Sequence, residues 1–136
     1  MRVVRRGEQT LEEWRPGVRT RRVVSATTGA ATICVIEQRH EPGRGAPTHW
    51  HDTEEVVIVR EGAAEFTVEG ERVTLGAGDA IILPPEVRHG FVNVGESPLD
   101  IQAVFSSATP SVTYEEEPEA ELEIGRAEVT HRTPRP

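Results

Sequence analysis

From Thr32 to Phe105 the chain is a succession of short runs of β-branched and aliphatic residues, each closed by a turn signal rich in Gly or Pro. Thr32 to Arg39 reads as a strand closed by Glu41-Pro42-Gly43. Glu55 to Arg60 is the next strand, then Ala64 to Val68 and Arg72 to Leu75 as a hairpin around Glu69-Gly70. Gly76-Ala77-Gly78-Asp79 turns the chain into Ala80 to Leu83, Pro84-Pro85 stops it, and Arg88 to Val94 and Leu99 to Phe105 complete the set. Many short strands at regular spacing argue for a sandwich or barrel over a parallel fold. Aromatic residues make up only 4% of the chain, so Val, Ile, Leu and Ala must fill the interior, and such side chains pack well on strands.

The flanks are less regular. Val3-Val4 and Val23-Val24, with a turn at Pro16-Gly17, predict two strands flanking a loop or a helical turn around Thr10 to Trp14. Gly43 to Thr48 carries two glycines and a proline and is expected to be a loop, leading into the strand of His49 and His51, whose flexibility gates access to those histidines. Glu115-Glu116-Glu117-Pro118-Glu119 breaks the strand pattern, a short strand is expected near Leu122 to Ile124, and Thr133-Pro134-Arg135-Pro136 is expected to be a mobile tail. At 136 residues the length fits one domain. The division expected is a barrel over 1–110 and an acidic, partly flexible extension over 111–136.

Charge and composition exclude several functions. A net charge of −8 argues against nucleic acid as a partner, because phosphate binding needs clustered positive charge. Residues 1–22 do hold seven of the fifteen basic residues, and residues 111–136 hold seven acids, so the two ends are expected to attract each other within a chain or across a dimer. No stretch approaches about 18 apolar residues and the N-terminus lacks an apolar leader, so a soluble, cytoplasmic protein without a membrane partner is expected. Every basic residue is Arg, which removes lysine Schiff-base chemistry. The single cysteine, Cys34, lies in an apolar run and reads as a buried, inert thiol.

The chemistry concentrates at His49, His51, Glu55 and His89. In an extended strand alternate residues share a face, so positions 49, 51 and 55 can look into one interior, and His89 must arrive from a second strand. Three imidazoles and one carboxylate suit one divalent transition metal per chain, whether Fe, Mn, Ni or Zn. Four protein ligands on an octahedral ion leave two positions open, as a catalytic or ligand-binding metal requires. The plain alternative is that His-x-His is a surface accident.

The residues around the four carry a resemblance. Gly43, His49-Trp50-His51, Glu55 and Gly62 are spaced as in the first motif of the cupins, and Gly78, Pro84-Pro85-Glu86, His89 and Asn93 as in the second. The stretch from about 30 to 105 is therefore similar to a cupin domain, with motifs at 43–62 and 78–93. The resemblance implies an all-β fold, a double-stranded β-helix or jelly-roll barrel. Glu86 stands where the family usually has Gly, so the backbone of that turn is expected to change.

Three functions stay open at this level. The first is a metal-dependent oxidoreductase, most simply a dioxygenase with Fe(II) taking substrate and O2 at the open positions, in which Glu55 is either a passive ligand or a proton acceptor. The second is a metal-dependent isomerase, cyclase or lyase that consumes no oxygen. The third is a non-catalytic small-ligand-binding module. Acid–base candidates beyond the ligands are scarce: Tyr114, Glu37, His40, read as a solvated strand-end residue, and His131, read as tail. Parity nominates Val57, Val59, Ile81, Leu83 and Phe91 as pocket lining, with Asn93 and Arg39 as polar contributors, each equally readable as core or rim. Trp50 has the opposite parity and should face away from the metal. Outward Val56 and Ile58 need cover, which predicts a homodimer.

Overall fold

The computed structural model describes residues 1–124; the expected tail at 133–136 and His131 lie outside them. Among the described residues the chain forms twelve strands: β1 (Glu12–Arg15), β2 (Val18–Val24), β3 (Cys34–His40), β4 (Gly45–Trp50), β5 (Glu55–Glu61), β6 (Ala63–Val68), β7 (Glu71–Gly76), β8 (Ala80–Leu83), β9 (His89–Asn93), β10 (Leu99–Phe105), β11 (Ser111–Tyr114) and β12 (Leu122–Glu123). One sheet runs β1-β2-β3-β10-β5-β8 and the other β12-β11-β4-β9-β6-β7, with every pairing antiparallel. Two antiparallel six-stranded sheets packed face to face make the jelly-roll barrel that the sequence implied. No helix among the described residues is long and apolar enough to cross a membrane.

The core lies between the sheets and is built by period-two alternation. In β5, Glu55, Val57 and Val59 are buried while Val56 and Ile58 are half-exposed. β10 alternates in the same way, burying Leu99, Ile101, Ala103 and Phe105. Cys34 is buried with them, and burial pushes its thiol up to about 12, so it is an inert core residue as expected. The β6–β7 hairpin closes in two residues, Glu69 at φ 48° and Gly70 at φ 84°, the double left-handed geometry that matches strand twist.

The structure overturns several expectations. Gly43 to Thr48 is not a gating loop: from Gly45 onward it is β4, paired with β9. A Cβ at Gly45 would collide with the Phe91 carbonyl, so the glycine that suggests a loop serves the close approach of two strands. Of the loop or helical turn expected around Thr10 to Trp14, Glu12 to Trp14 belong to β1, and the 3-10 turn lies earlier, at Arg6–Glu8. The barrel continues past residue 110, because β11 joins β4 and buries Ser111, Val112 and Thr113. Glu86 does not change its turn: it keeps φ at 68°, the left-handed backbone that a glycine would adopt. His40 is fully buried rather than solvated.

Candidate metal centre

The four ligand candidates come from both sheets. His49 in β4 and His89 in β9 are register partners directly across from each other. His51 lies just past the end of β4, and Glu55 opens β5 in the opposite sheet. The parity argument holds for 49 and 51 only, since the chain turns between 51 and 55 to change sheets. All four side chains are buried, and one donor atom from each lies within 4.8 Å of the others.

Each histidine is fixed by a backbone carbonyl on its outer side. The Nδ1–H groups of His49, His51 and His89 donate to the carbonyls of Pro47 (2.6 Å), Ser111 (2.7 Å) and Val87 (2.9 Å). A carbonyl only accepts, so Nδ1 carries the proton and each Nε2 holds its lone pair toward the centre, the tautomer of a metal-ligating histidine. Glu55 Oε1 lies 3.1 Å from His89 Nε2 and 3.4 Å from His51 Nε2. Among the described residues neither His51 Nε2 nor Glu55 Oε1 has a hydrogen-bond partner, although both are buried. Buried polar atoms are rarely left so, and a divalent cation satisfies them together; the residues present fit a transition metal.

Burial and the neighbouring charges move these groups in different directions. Burial, together with the charges of His89 and His51, holds His49 well below the usual imidazole range, so it stays neutral. Burial would lower His51 too, but the Glu55 carboxylate outweighs it and the net shift is upward. Burial would raise Glu55, and the His51 and His89 charges reverse this and hold the carboxyl well below the carboxylate range.

The centre opens on a cavity of about 30 Å³, room for a few waters. Of the residues nominated from parity, Val57 and Phe91 line it. Val59 and Leu83 are core, and Ile81 packs against that core. Asn93 is buried, but its amide donates to the His40 and Ser97 carbonyls and its Oδ1 accepts from Gly95, so it holds a turn. Arg39 is corrected most clearly: it lies on the outer face, half-exposed, paired with Asp100 at 3.0 Å, because its position in β3 has the parity opposite to buried Gln38. Trp50 is not among the residues lining the cavity, and the Arg88 guanidinium lies 4.1 Å above its ring.

Sequence reasoning missed two polar residues on the cavity wall, Arg15 and Gln38, and named a third, Tyr114, only as an acid–base candidate without a place in the site. Arg15 Nη1 donates to the Tyr114 hydroxyl at 3.2 Å, and the Tyr114 ring lies 5.7 Å from that of His49. No local signal marks them, because β1, β3 and β11 meet only in the folded barrel.

Residues 36–105 match the family model described as Cupin domain. Among curated proteins, the chain is 41% identical over 59 residues to gentisate 1,2 dioxygenase 1 of Aquipseudomonas alcaligenes, covering 43% of this chain and 17% of that protein. It is 35% identical over 74 residues to polyketide synthase CurC of Streptomyces cyaneus, covering 54% and 46%. The chain thus spans less than half the length of these relatives. Among solved structures, the polyketide cyclase RemF from Streptomyces resistomycificus superposes with a TM-score of 0.68 at 23% identity, over 96% of this chain and 90% of that one, a likeness of fold. With the family model spanning just over half of the chain, and a three-histidine, one-glutamate cluster seated between its two sheets, this protein belongs to the cupin family.

Proposed function

We propose that the protein is a metal-dependent oxidoreductase, most simply a dioxygenase, acting on a small and partly apolar substrate. The observation that carries this reading is the buried His49, His51, Glu55 and His89 cluster, with its inward Nε2 atoms, on the wall of a cavity whose other lining residues are mostly apolar. A divalent metal held there would have two of six coordination positions left for exogenous ligands and, if iron, redox capacity. The chain's own residues do the rest. The three carbonyl-anchored imidazoles fix the ligand geometry, and Glu55 supplies the negative charge that offsets a cation. Val57, Phe91, Ile101 and Phe105 wall the cavity, exclude water and so strengthen every electrostatic contact inside it. The stretch similar to a gentisate dioxygenase supports the same chemistry.

A second reading, a cyclase or isomerase that consumes no oxygen, is favoured by one observation. The Tyr114 hydroxyl faces the cavity beside Arg15 and offers a proton-transfer group that a purely redox site does not need.

The test is anaerobic loading with Fe(II), Mn(II), Ni(II) or Zn(II), metal analysis, and then oxygen uptake and product analysis with a panel of hydroxybenzoates and enolisable ketones. Oxygen consumption by the iron form, absent in His51→Ala, supports the dioxygenase. Product without oxygen uptake supports the second reading. Stabilisation by a panel compound with no turnover under any metal would instead point to a ligand-binding module.

A further inference from the structure

Among the described residues Arg15 is a buried cation without an anion. It ends β1, is 7% exposed, and lines the same cavity as the four ligand candidates. Its contacts are both neutral oxygens: Nη1 donates to the Tyr114 hydroxyl at 3.2 Å and Nη2 to the Gly45 carbonyl at 3.0 Å. Its Nε is buried and has no hydrogen-bond partner among the described residues. A guanidinium has five N–H donors, and the two bonds leave three of them unspent. Arg22, the other deeply placed arginine of this sheet, shows the contrast, for it holds Glu12 at 2.8 Å. No carboxylate among the described residues comes within 4.0 Å of Arg15. The cavity's own carboxylate, Glu55, faces His51 and His89.

Burying an unpaired charge is costly unless something compensates it. Here the other described residues around it supply only dipoles, and Arg15 lines the same cavity as Tyr114, whose ring neighbours His49. We propose that Arg15 is the anion-recognition residue of this cavity, and that the substrate is a small carboxylate. The guanidinium fork takes the carboxylate oxygens on its unspent donors, and the Gly45 carbonyl and Tyr114 hydroxyl hold the fork in place. The far end of the same small molecule then lies toward His49, His51, Glu55 and His89. Arg15, in β1, precedes the stretch 36–105 that matches the family model. The inference rests on the reading of the site as a metal-dependent enzyme centre and narrows its substrate class.

The experiment is titration calorimetry on the protein loaded with redox-silent Zn(II), using acetate and benzoate against their neutral isosteres acetamide and benzamide. At least one acid should bind about tenfold or more tightly than its amide, the margin of one charge-assisted pair. In Arg15→Gln that ratio should fall to about one while zinc per chain is unchanged. A wild type with no preference for either acid, or an Arg15→Gln variant that keeps the preference because the anion sits on the metal alone, overturns the proposal. Arg15→Lys retains charge without the fork, and carries the test should Arg15→Gln fail to fold: a severalfold loss of preference is expected, and an unchanged ratio overturns it. If zinc does not bind at all, the enzyme reading fails separately, and the acid-to-amide ratio is then read on the metal-free protein, where its presence or absence still decides the role of Arg15.

Discussion

At the scale of single residues, Glu86 and His40 sit in environments that their side chains do not favour. Glu86 holds φ at 68° although it has a Cβ, and its N–H donates to the His51 carbonyl at 2.8 Å, so the strained turn is tied to a ligand segment. Glu86→Gly should stabilise the protein by about 0.5–1 kcal/mol, the strain relieved less the entropy a glycine loses on folding, as read from urea unfolding midpoints. His40 is pushed down to about 3, first by burial and then by the Arg15 guanidinium. A folded-state value below the unfolded one means that the unfolded chain binds the proton first. This group's contribution is therefore complete above about 6.5 and is lost as pH falls through the window toward 3. His40→Phe should flatten the pH dependence of stability in that window relative to wild type, measured by urea unfolding across pH. The identity of both residues was plain in the chain, but their environments were not. The cupin spacing predicted an altered turn at Glu86, whereas its hydrogen bond to His51 and its neighbours hold the original one.

At the scale of elements, β11 is the strand whose importance the chain conceals. Its Ser111 accepts the His51 Nδ1–H on its carbonyl and donates its N–H to the Asp52 carboxylate at 2.8 Å, so a C-terminal strand clamps the ligand loop from both directions. Asp52→Ala should weaken metal affinity by about tenfold without unfolding the barrel, checked by chelator competition. Gly45 plays the corresponding part between β4 and β9. Gly45→Ala would force a Cβ against the Phe91 carbonyl and should cost about 1–3 kcal/mol in urea unfolding, where a true loop would tolerate it. Composition suggests a loop at Gly43 to Thr48 because Gly and Pro punctuate both loops and tight strand contacts, and only the partner strand tells the two apart.

At the scale of the whole molecule, the outer face of the first sheet carries a cross-strand apolar row. Val35, Val104, Val56 and Ile82 are register neighbours on β3, β10, β5 and β8, and Ile82, on the edge strand, is 66% exposed. Contiguous exposed apolar surface of this kind marks an association site, and the same face grows charged toward Arg39 and Asp100 at its other end. We propose that a second copy of the chain covers the row. Light scattering at micromolar concentration should give twice the 15.0 kDa chain mass, and Val56→Arg should return it to one; a monomeric wild type rules the dimer out. Among the described N-terminal residues, Arg6 and Arg21 meet Glu37, and Arg22 meets Glu12.

The sequence by itself determined most of the strand pattern between Cys34 and Phe105 and, through its cupin motifs, the barrel and the four ligand candidates. Period-two alternation and turn chemistry are local, and His49, His51 and Glu55 lie close along the chain, with His89 placed by the second motif. Only the tertiary structure decided what surrounds them. Arg15 and Tyr114 stand 99 residues apart, and His51 and Ser111 stand 60 apart, so no window of sequence contains either pair. The cavity wall, the burial of His40 and the exclusion of Arg39 all depend on which strands become neighbours. That choice is settled by the joint burial of two sheet faces, a property of the folded barrel rather than of any one segment.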